Sequence, residues 1–335
     1  MKVLLSGYHN PHFITITEYM ENAIKALGHE LIIFDDRQHI IPGRIRYRIK
    51  WFNQLDLEHI NRRMLRLASE KKPDIAIVAG GHRITASTIK TLNANGIVTI
   101  LWTIDAPINF QPILSVAPHY NHIFCQGSEA VELLGNKGIK GAHWLPVACD
   151  PNSHRPLELS NKEKKYYGHD IVFVGSYYPV RADLFEKLTE FDFDLWGPGW
   201  EQLPSKSALR DFLRGGQLKQ EVWSRIYNAS KIVLATHYQD PDNRFPVYQA
   251  SPRIFEALAC RCFVLVDRQK DVLSLFNDGE HLVGFDGIAD LREKIKYYLR
   301  HPNERNKIAT QGYREVLERH TFIHRINEML STINM

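Results

Sequence analysis

Short apolar segments rich in β-branched residues alternate with helix-periodic segments along most of this chain. After one interruption the alternation starts again. That rhythm leaves few folds open, because a strand–helix–strand repeat packs as a parallel sheet covered by its own crossover helices. In the first half Lys2–Ser6, Glu30–Phe34, Asp74–Ala79, Val98–Trp102, His122–Cys125 and Ala142–Pro146 read as strands. Thr17–Leu27 and Leu55–Ser69 carry helical periodicity between them. A polar stretch, Asp150–Gly168, holds Pro151, Pro156, Asn161 and Gly168 and reads as a linker. Beyond it Asp170–Val174, Phe193–Trp196, Lys231–Ala235, Phe263–Val266 and His281–Val283 read as strands. Helices are expected at Arg181–Glu190, Leu218–Ala229, Ser251–Ala259, Ile288–Leu299 and Asn303–Arg319. With 335 residues, too many for one ordinary core, the expectation is an α/β chain of two Rossmann-like, doubly wound domains. They would occupy residues 1–150 and 169–320, joined through 151–168, and face a central cleft.

Composition narrows the function classes. A hydrophobic content of 44% and a charged content of 24% suit a globular protein in water. No run approaches the roughly 18 apolar residues of a membrane span. Met1–Gly7 is too short for a signal peptide and reads as the first strand, so a cytoplasmic location is expected. The net charge of +4 is too small to argue for nucleic acid, and no such partner is expected. Cys125, Cys149, Cys260 and Cys262 lack metal-type or secretory spacing and read as reduced core thiols.

One local charge stands out. Arg37–Lys72 holds ten Lys/Arg against three Asp/Glu. Arg44, Arg46, Arg48 and Lys50 interleave with Ile45, Tyr47, Ile49, Trp51 and Phe52. Strict alternation suggests a strand or extended flap with one basic face. A helix can equally present part of the stretch to anionic lipid or an anionic glycan, and a solvated loop is the plainest alternative.

The most informative stretch for chemistry is Ser251–Leu265. Ser251 is placed as a helix cap, Pro252 stands at the first helical position, and Arg253 and Glu256 lie in the first turns. Backbone N–H groups at such a terminus suit an anionic ligand. Val3-Leu4-Leu5-Ser6-Gly7-Tyr8 is echoed by Ile171-Val172-Phe173-Val174-Gly175-Ser176-Tyr177, so both halves put glycine after a first strand. Asp192-Phe193-Asp194 and Asp240-Pro241-Asp242 imitate metal-binding pairs, but a solvated strand face and turn chemistry explain them as well. The Gly-x-Gly-x-x-Gly fingerprint of nicotinamide enzymes is absent.

The second half resembles the CgeB-like (spore maturation protein) glycosyltransferases. The resemblance rests on Phe173–Arg181, on Leu195-Trp196-Gly197-Pro198-Gly199-Trp200, on Lys231–Leu234 and on Pro252–Ala257. It continues through Ile295–Pro302 and His320–Arg325. The first half matches more loosely, in Lys72-Pro73-Asp74 and Trp102–Pro107. The resemblance implies the two-domain GT-B fold, with a sugar nucleotide such as UDP-sugar on the C-terminal domain and the acceptor on the N-terminal one. It implies neither a metal nor a cofactor, and a last helix in 321–335 that packs back on the N-domain. The expected reaction moves a sugar to a hydroxyl of a glycan, lipid or protein, as in polysaccharide biosynthesis. A sugar-nucleotide epimerase on the same fold, or a non-catalytic protein binding an anionic polymer or membrane through 37–72, are the alternatives.

Glu256 matches the glutamate that takes the ribose hydroxyls in related enzymes, a task suited to a carboxylate. Many retaining relatives carry a second glutamate eight positions earlier, where this chain has Tyr248, so stereochemistry stays open. Arg253 and Arg181 are candidates for the diphosphate, since arginine pairs bidentately with phosphate oxygens. Gly175, Ser176 and Tyr177 are expected to line the same pocket, with Trp200 stacking on a base and His237 and Ser251 at its rim. Asp105, after the strand Val98–Trp102, is the candidate base for the acceptor hydroxyl if the enzyme inverts. His82, after Gly80-Gly81, and Gly7-Tyr8-His9 are expected on the acceptor side, with either histidine able to serve in place of Asp105.

Overall fold

The computed structural model describes residues 1–46, 48–216, 218–240, 242 and 244–333. The chain divides into two compact units, one of Met1–Pro146 with the segment after Phe322, the other Val147–Phe322.

In the first unit β1 (Lys2–Gly7), β2 (Glu30–Asp35), β3 (Ile75–Ala79), β4 (Val98–Thr103), β5 (His122–Cys125) and β6 (Ala142–Trp144) form one sheet in the order β2-β1-β3-β4-β5-β6. Every pairing is parallel. The order reverses between β1 and β3, where strand ends splay and leave a crevice. Leu4, Val78, Leu101 and Ile123 lie in one buried cluster with Ile60 and Met64 from the helix Lys50–Lys71. Burial on both faces explains why the central strands read as unbroken apolar runs.

The second unit repeats the plan with β7 (Ile171–Val174), β8 (Phe193–Trp196), β9 (Leu213–Gly215), β10 (Ile232–Ala235), β11 (Val264–Asp267) and β12 (Val283–Phe285). Its order is β12-β11-β10-β7-β8-β9, again all parallel. Counted from its own first strand this is the dinucleotide-binding order, with the switch point between β7 and β10. Phe173, Leu195, Ile232 and Leu265 anchor its core. The three-residue edge strand β9 was not foreseen, because Leu213-Arg214-Gly215 shows no apolar alternation.

Two sequence expectations need correction. Residues 151–168 are not a bare linker, since Asn161–Tyr167 is a helix closed by a Ser160/Glu163 capping box. Glu163 pairs with Arg225 at 3.0 Å, within the second unit. For the basic stretch the strand or flap reading gives way to the helical alternative: Gly43–Arg46 and Lys50–Lys71 are helical, and Tyr47 lies outside the described residues. Its alternation yields to the Asp56 carboxylate, which draws Arg46 inward at 2.9 Å. The final helix, Phe322–Ile333, carries Arg325, whose Nε donates to the Pro146 carbonyl at 2.8 Å.

Candidate functional site

At the switch point of the second unit two arginines converge on the ring of Phe173. The Arg181 guanidinium carbon lies 4.7 Å from the ring centroid and that of Arg253 lies 4.4 Å from it. Arg181 comes from the helix Pro179–Phe185 after β7, and Arg253 from the helix Pro252–Ala259. Arg181 is almost fully buried and three of its five N–H donors are engaged by the protein. Nε donates to Thr236 Oγ1 at 2.9 Å, Nη2 to the Thr236 carbonyl at 2.9 Å, and Nη1 to the Ser176 carbonyl. It therefore braces the loop after β7 against the end of β10, more than it reaches for a ligand. Arg253 donates from Nε to the Val174 carbonyl at 2.6 Å and from Nη1 to the Thr236 carbonyl at 3.3 Å. Three of its five N–H donors remain, and the side chain is only half-buried.

Neither arginine has an ion-pair partner among the described residues. Burial, followed by the neighbouring Arg253 charge, pulls the Arg181 guanidinium down to about 9. Two cations held together with no carboxylate in ion-pair contact make a site that an anion stabilises.

Gly175 has a more specific role than closeness to a ligand. A Cβ there would sit 2.2 Å from Arg253 Nη2, so the absence of a side chain is what admits the guanidinium. Gly197, at φ +128°, is required by the same crossing, because its Cβ would meet the Gly175 carbonyl at 2.3 Å. Tyr177 packs edge-on against Trp200, with ring centroids 5.4 Å apart.

Glu256 is half-buried and receives no hydrogen bond from the described residues. Its carboxyl group is well covered, and burial pushes it up to about 7, with Arg253 partly opposing the shift. A covered carboxylate without a protein donor is suited to accept hydroxyl protons from a ligand.

Three expected donor contacts take other roles. Trp200 is 2% exposed, its indole N–H donates to the Gly175 carbonyl at 2.8 Å, and Phe185 stacks on it at 5.9 Å. That ring belongs to the core and supports the glycine loop rather than a base. His237 has both ring nitrogens committed. Nε2 accepts from the Ser251 N–H at 3.0 Å, so Nδ1 carries the proton toward Asp267 Oδ1, 2.6 Å away. The Ser251 side chain makes no capping bond, so the expected cap is replaced by this backbone link to His237. Thr236, Asp267 and the exposed Tyr178, which meets Tyr238 edge-on at 5.0 Å, escaped sequence reading. The usable signal was their shared place at or beside the carboxyl end of a strand.

In the first unit the structure brings Asp105 and His82 together. Asp105 Oδ2 lies 2.7 Å from His82 Nε2, and both are about a quarter exposed. They follow β4 and β3, which are neighbours, so the pairing is a consequence of strand order. Gly81, at φ +89°, turns the chain so that His82 meets Asp105. A histidine oriented by a carboxylate, with its second nitrogen open, is a proton-transfer arrangement. His9 instead pairs with Glu21 at 2.6 Å; burial opposes its charge, but Glu21 holds it above the ordinary histidine range. The Tyr8 ring lies under Arg37, 4.6 Å away. Gly7 clears room for Thr17, whose Oγ1 would stand 2.5 Å from a Cβ.

The acidic pairs are internal. Asp192 and Asp194 bind the two nitrogens of His169 at 2.8 and 2.7 Å, and Asp240 pairs with Arg244 at 3.3 Å. Among the described residues no cluster of three or more His, Cys, Asp or Glu is placed to hold a metal ion. All four cysteines are buried and unpaired with one another.

Residues 181–331 match the family described as glycosyl transferase-like. Over 262 residues the chain is 23% identical to the spore protein CgeB of Bacillus subtilis, covering 75% of this chain and 80% of that one. Sucrose-phosphate synthase from Thermosynechococcus elongatus superposes with a TM-score of 0.70 at 10% identity, over 99% of this chain and 98% of the other. Anabaena Alr3699/HepE, solved with UDP-glucose, gives 0.70 at 11% identity over 100% and 99%. An alpha-glucosyltransferase solved with UDP and a DNA 13-mer gives 0.68 at 11% identity over the full length of both chains. The chain therefore has the GT-B fold, and its second unit carries a glycosyl transferase-like domain.

Proposed function

We propose that this glycosyltransferase of the GT-B fold takes its sugar from a nucleoside diphosphate donor bound at the β7/β10 switch point of the second unit. The observation that carries the assignment is the unpaired Arg181–Arg253 couple on Phe173. Arg253 would grip the diphosphate through its free donors, while Arg181 holds the loop and adds its charge. Glu256 would accept both ribose hydroxyls, and the N-terminal end of helix Pro252–Ala259 faces the same anion. UDP is the first nucleotide to test, because Anabaena HepE was solved with UDP-glucose.

Sugar transfer breaks the bond between the anomeric carbon and the diphosphate oxygen while an acceptor hydroxyl oxygen attacks that carbon. Negative charge grows on the departing diphosphate, and fixed guanidiniums stabilise it more than they stabilise the intact donor. The acceptor proton passes in this reading to His82, with Asp105 holding the ring and offsetting the imidazolium charge. Asp105 then orients and His82 accepts, a refinement that the 2.7 Å contact supports. A protein base implies single displacement with inversion.

The test is proton NMR of the sugar first released from an α-linked UDP-sugar, with water as acceptor. Initial release of the β anomer supports the His82 base. Initial release of the α anomer removes that role and leaves the donor site standing. No consumption of any nucleotide sugar, with or without added acceptors, would contradict the function.

A further inference from the structure

The segment before the long helix of the first unit has no place in the donor site, yet its surface is unusual. From Arg37 to Leu55 the sequence holds five Lys/Arg and no Asp/Glu. The next residue, Asp56, is buried and fully occupied: it receives Arg46 at 2.9 Å, the Ile40 N–H at 2.8 Å, and His39. That single carboxylate ties the start and the middle of the segment inward and cancels Arg46. What remains outside is Arg37, Arg44 and Arg48 beside Ile40, Ile45, Ile49 and Trp51. Those four apolar side chains are 59%, 45%, 46% and 60% exposed. Ile45 and Ile49 lie one turn apart, with the Ile49 N–H donating to the Ile45 carbonyl at 3.2 Å. Arg44 and Arg48 have the same spacing.

From this we infer that Ile40, Arg44, Ile45, Arg48, Ile49 and Trp51 form a docking surface for an anionic lipid bilayer. The pairing of charges selects the occupant. Guanidiniums alone would suit any polyanion, but a polyanion gives exposed isoleucine and tryptophan nothing to bury against. A bilayer surface satisfies both, since anionic headgroups meet the arginines while the apolar side chains enter the headgroup–acyl boundary, where tryptophan is favoured. No helix among the described residues is long and apolar enough to cross a membrane, so the contact is interfacial. It would keep the acceptor-side unit at the surface carrying a lipid-linked acceptor.

Co-sedimentation with vesicles tests the inference on the full chain. Wild type is expected to pellet with phosphatidylglycerol–phosphatidylcholine vesicles, to release in high salt, and to ignore pure phosphatidylcholine vesicles. Arg44→Glu/Arg48→Glu and Ile49→Ser/Trp51→Ser should each lower partitioning at least about tenfold. Both pairs are exposed, so unchanged melting curves and unchanged UDP affinity separate this result from failure of folding or of the donor site. Wild type that does not pellet, or serine variants that bind as wild type does, would overturn it. So would retention on heparin that survives in the serine variants while vesicles fail to bind, which would mean an anionic glycan surface.

Discussion

Arg181 and Arg253 share one acceptor, the carbonyl oxygen of Thr236, at 2.9 and 3.3 Å. Two guanidiniums on one carbonyl, with no carboxylate between them, are tolerable because Phe173 offers its face to both. The arrangement holds charge in reserve for a ligand. It also divides the labour, since the buried Arg181 spends three of its five donors on the fold, whereas the half-buried Arg253 spends two.

Gly175→Ala should separate site from fold. The added methyl meets the far end of Arg253 and the Phe173 ring, so the guanidinium must move, whereas no left-handed backbone strain arises. Losing one charge-assisted contact should weaken UDP binding about 10–100-fold, with a small change in melting temperature. Isothermal titration and a melting curve on the same sample decide it.

Glu256 makes stability depend on pH in a stated direction. Its carboxyl group is raised from 4.5 to about 7, so between these values the folded protein keeps a proton that the unfolded chain has lost. The contribution is full below 4.5 and disappears as pH rises through 7. Glu256→Gln should therefore gain on wild type near about pH 8 and lose that advantage near about pH 5, by on the order of 1–2 kcal/mol given partial exposure. Urea midpoints at the two pH values measure it. Affinity for UDP-glucose, whose diphosphate does not titrate near neutrality, should rise with pH in wild type and stay flat and weaker in the variant.

Asp105→Asn and His82→Ala should lower transfer about 10²–10⁴-fold while UDP affinity stays as in wild type. The pair is partly exposed, so its loss should cost little stability. Turnover measured as UDP release, beside a UDP titration, tests both statements.

His237→Ala should behave differently. It removes the imidazole bond to Asp267, which keeps the residue-237 backbone N–H and Gln269 as donors, leaves the Ser251 N–H without its partner, and frees the start of helix Pro252–Ala259. A loss of about 1–3 kcal/mol in urea unfolding is expected, together with weaker UDP binding. A variant as stable as wild type would contradict the positioning role.

The sequence disclosed strand positions and loop ends well, because doubly buried parallel strands are written as apolar runs and ligand loops follow them. Asp105 and His82 were both legible for that reason. Their contact was not, since it depends on β3 and β4 being neighbours and on Gly81 turning the chain. Trp200 misled because a glycine-flanked tryptophan reads the same whether its ring faces a ligand or, as here, Phe185. His237 misled similarly, its two partners lying 30 and 14 residues away. The basic alternation around Arg46 failed as a strand signal because one distant carboxylate, Asp56, outweighed local periodicity.

The most direct test of the account is a calorimetric titration of UDP into wild type and Arg253→Ala. Saturable, salt-sensitive binding to wild type at sub-millimolar concentration is expected, weakened about 10–100-fold in the variant. Absence of saturable binding by UDP, dTDP and GDP, or equal affinity in the two proteins, would contradict it.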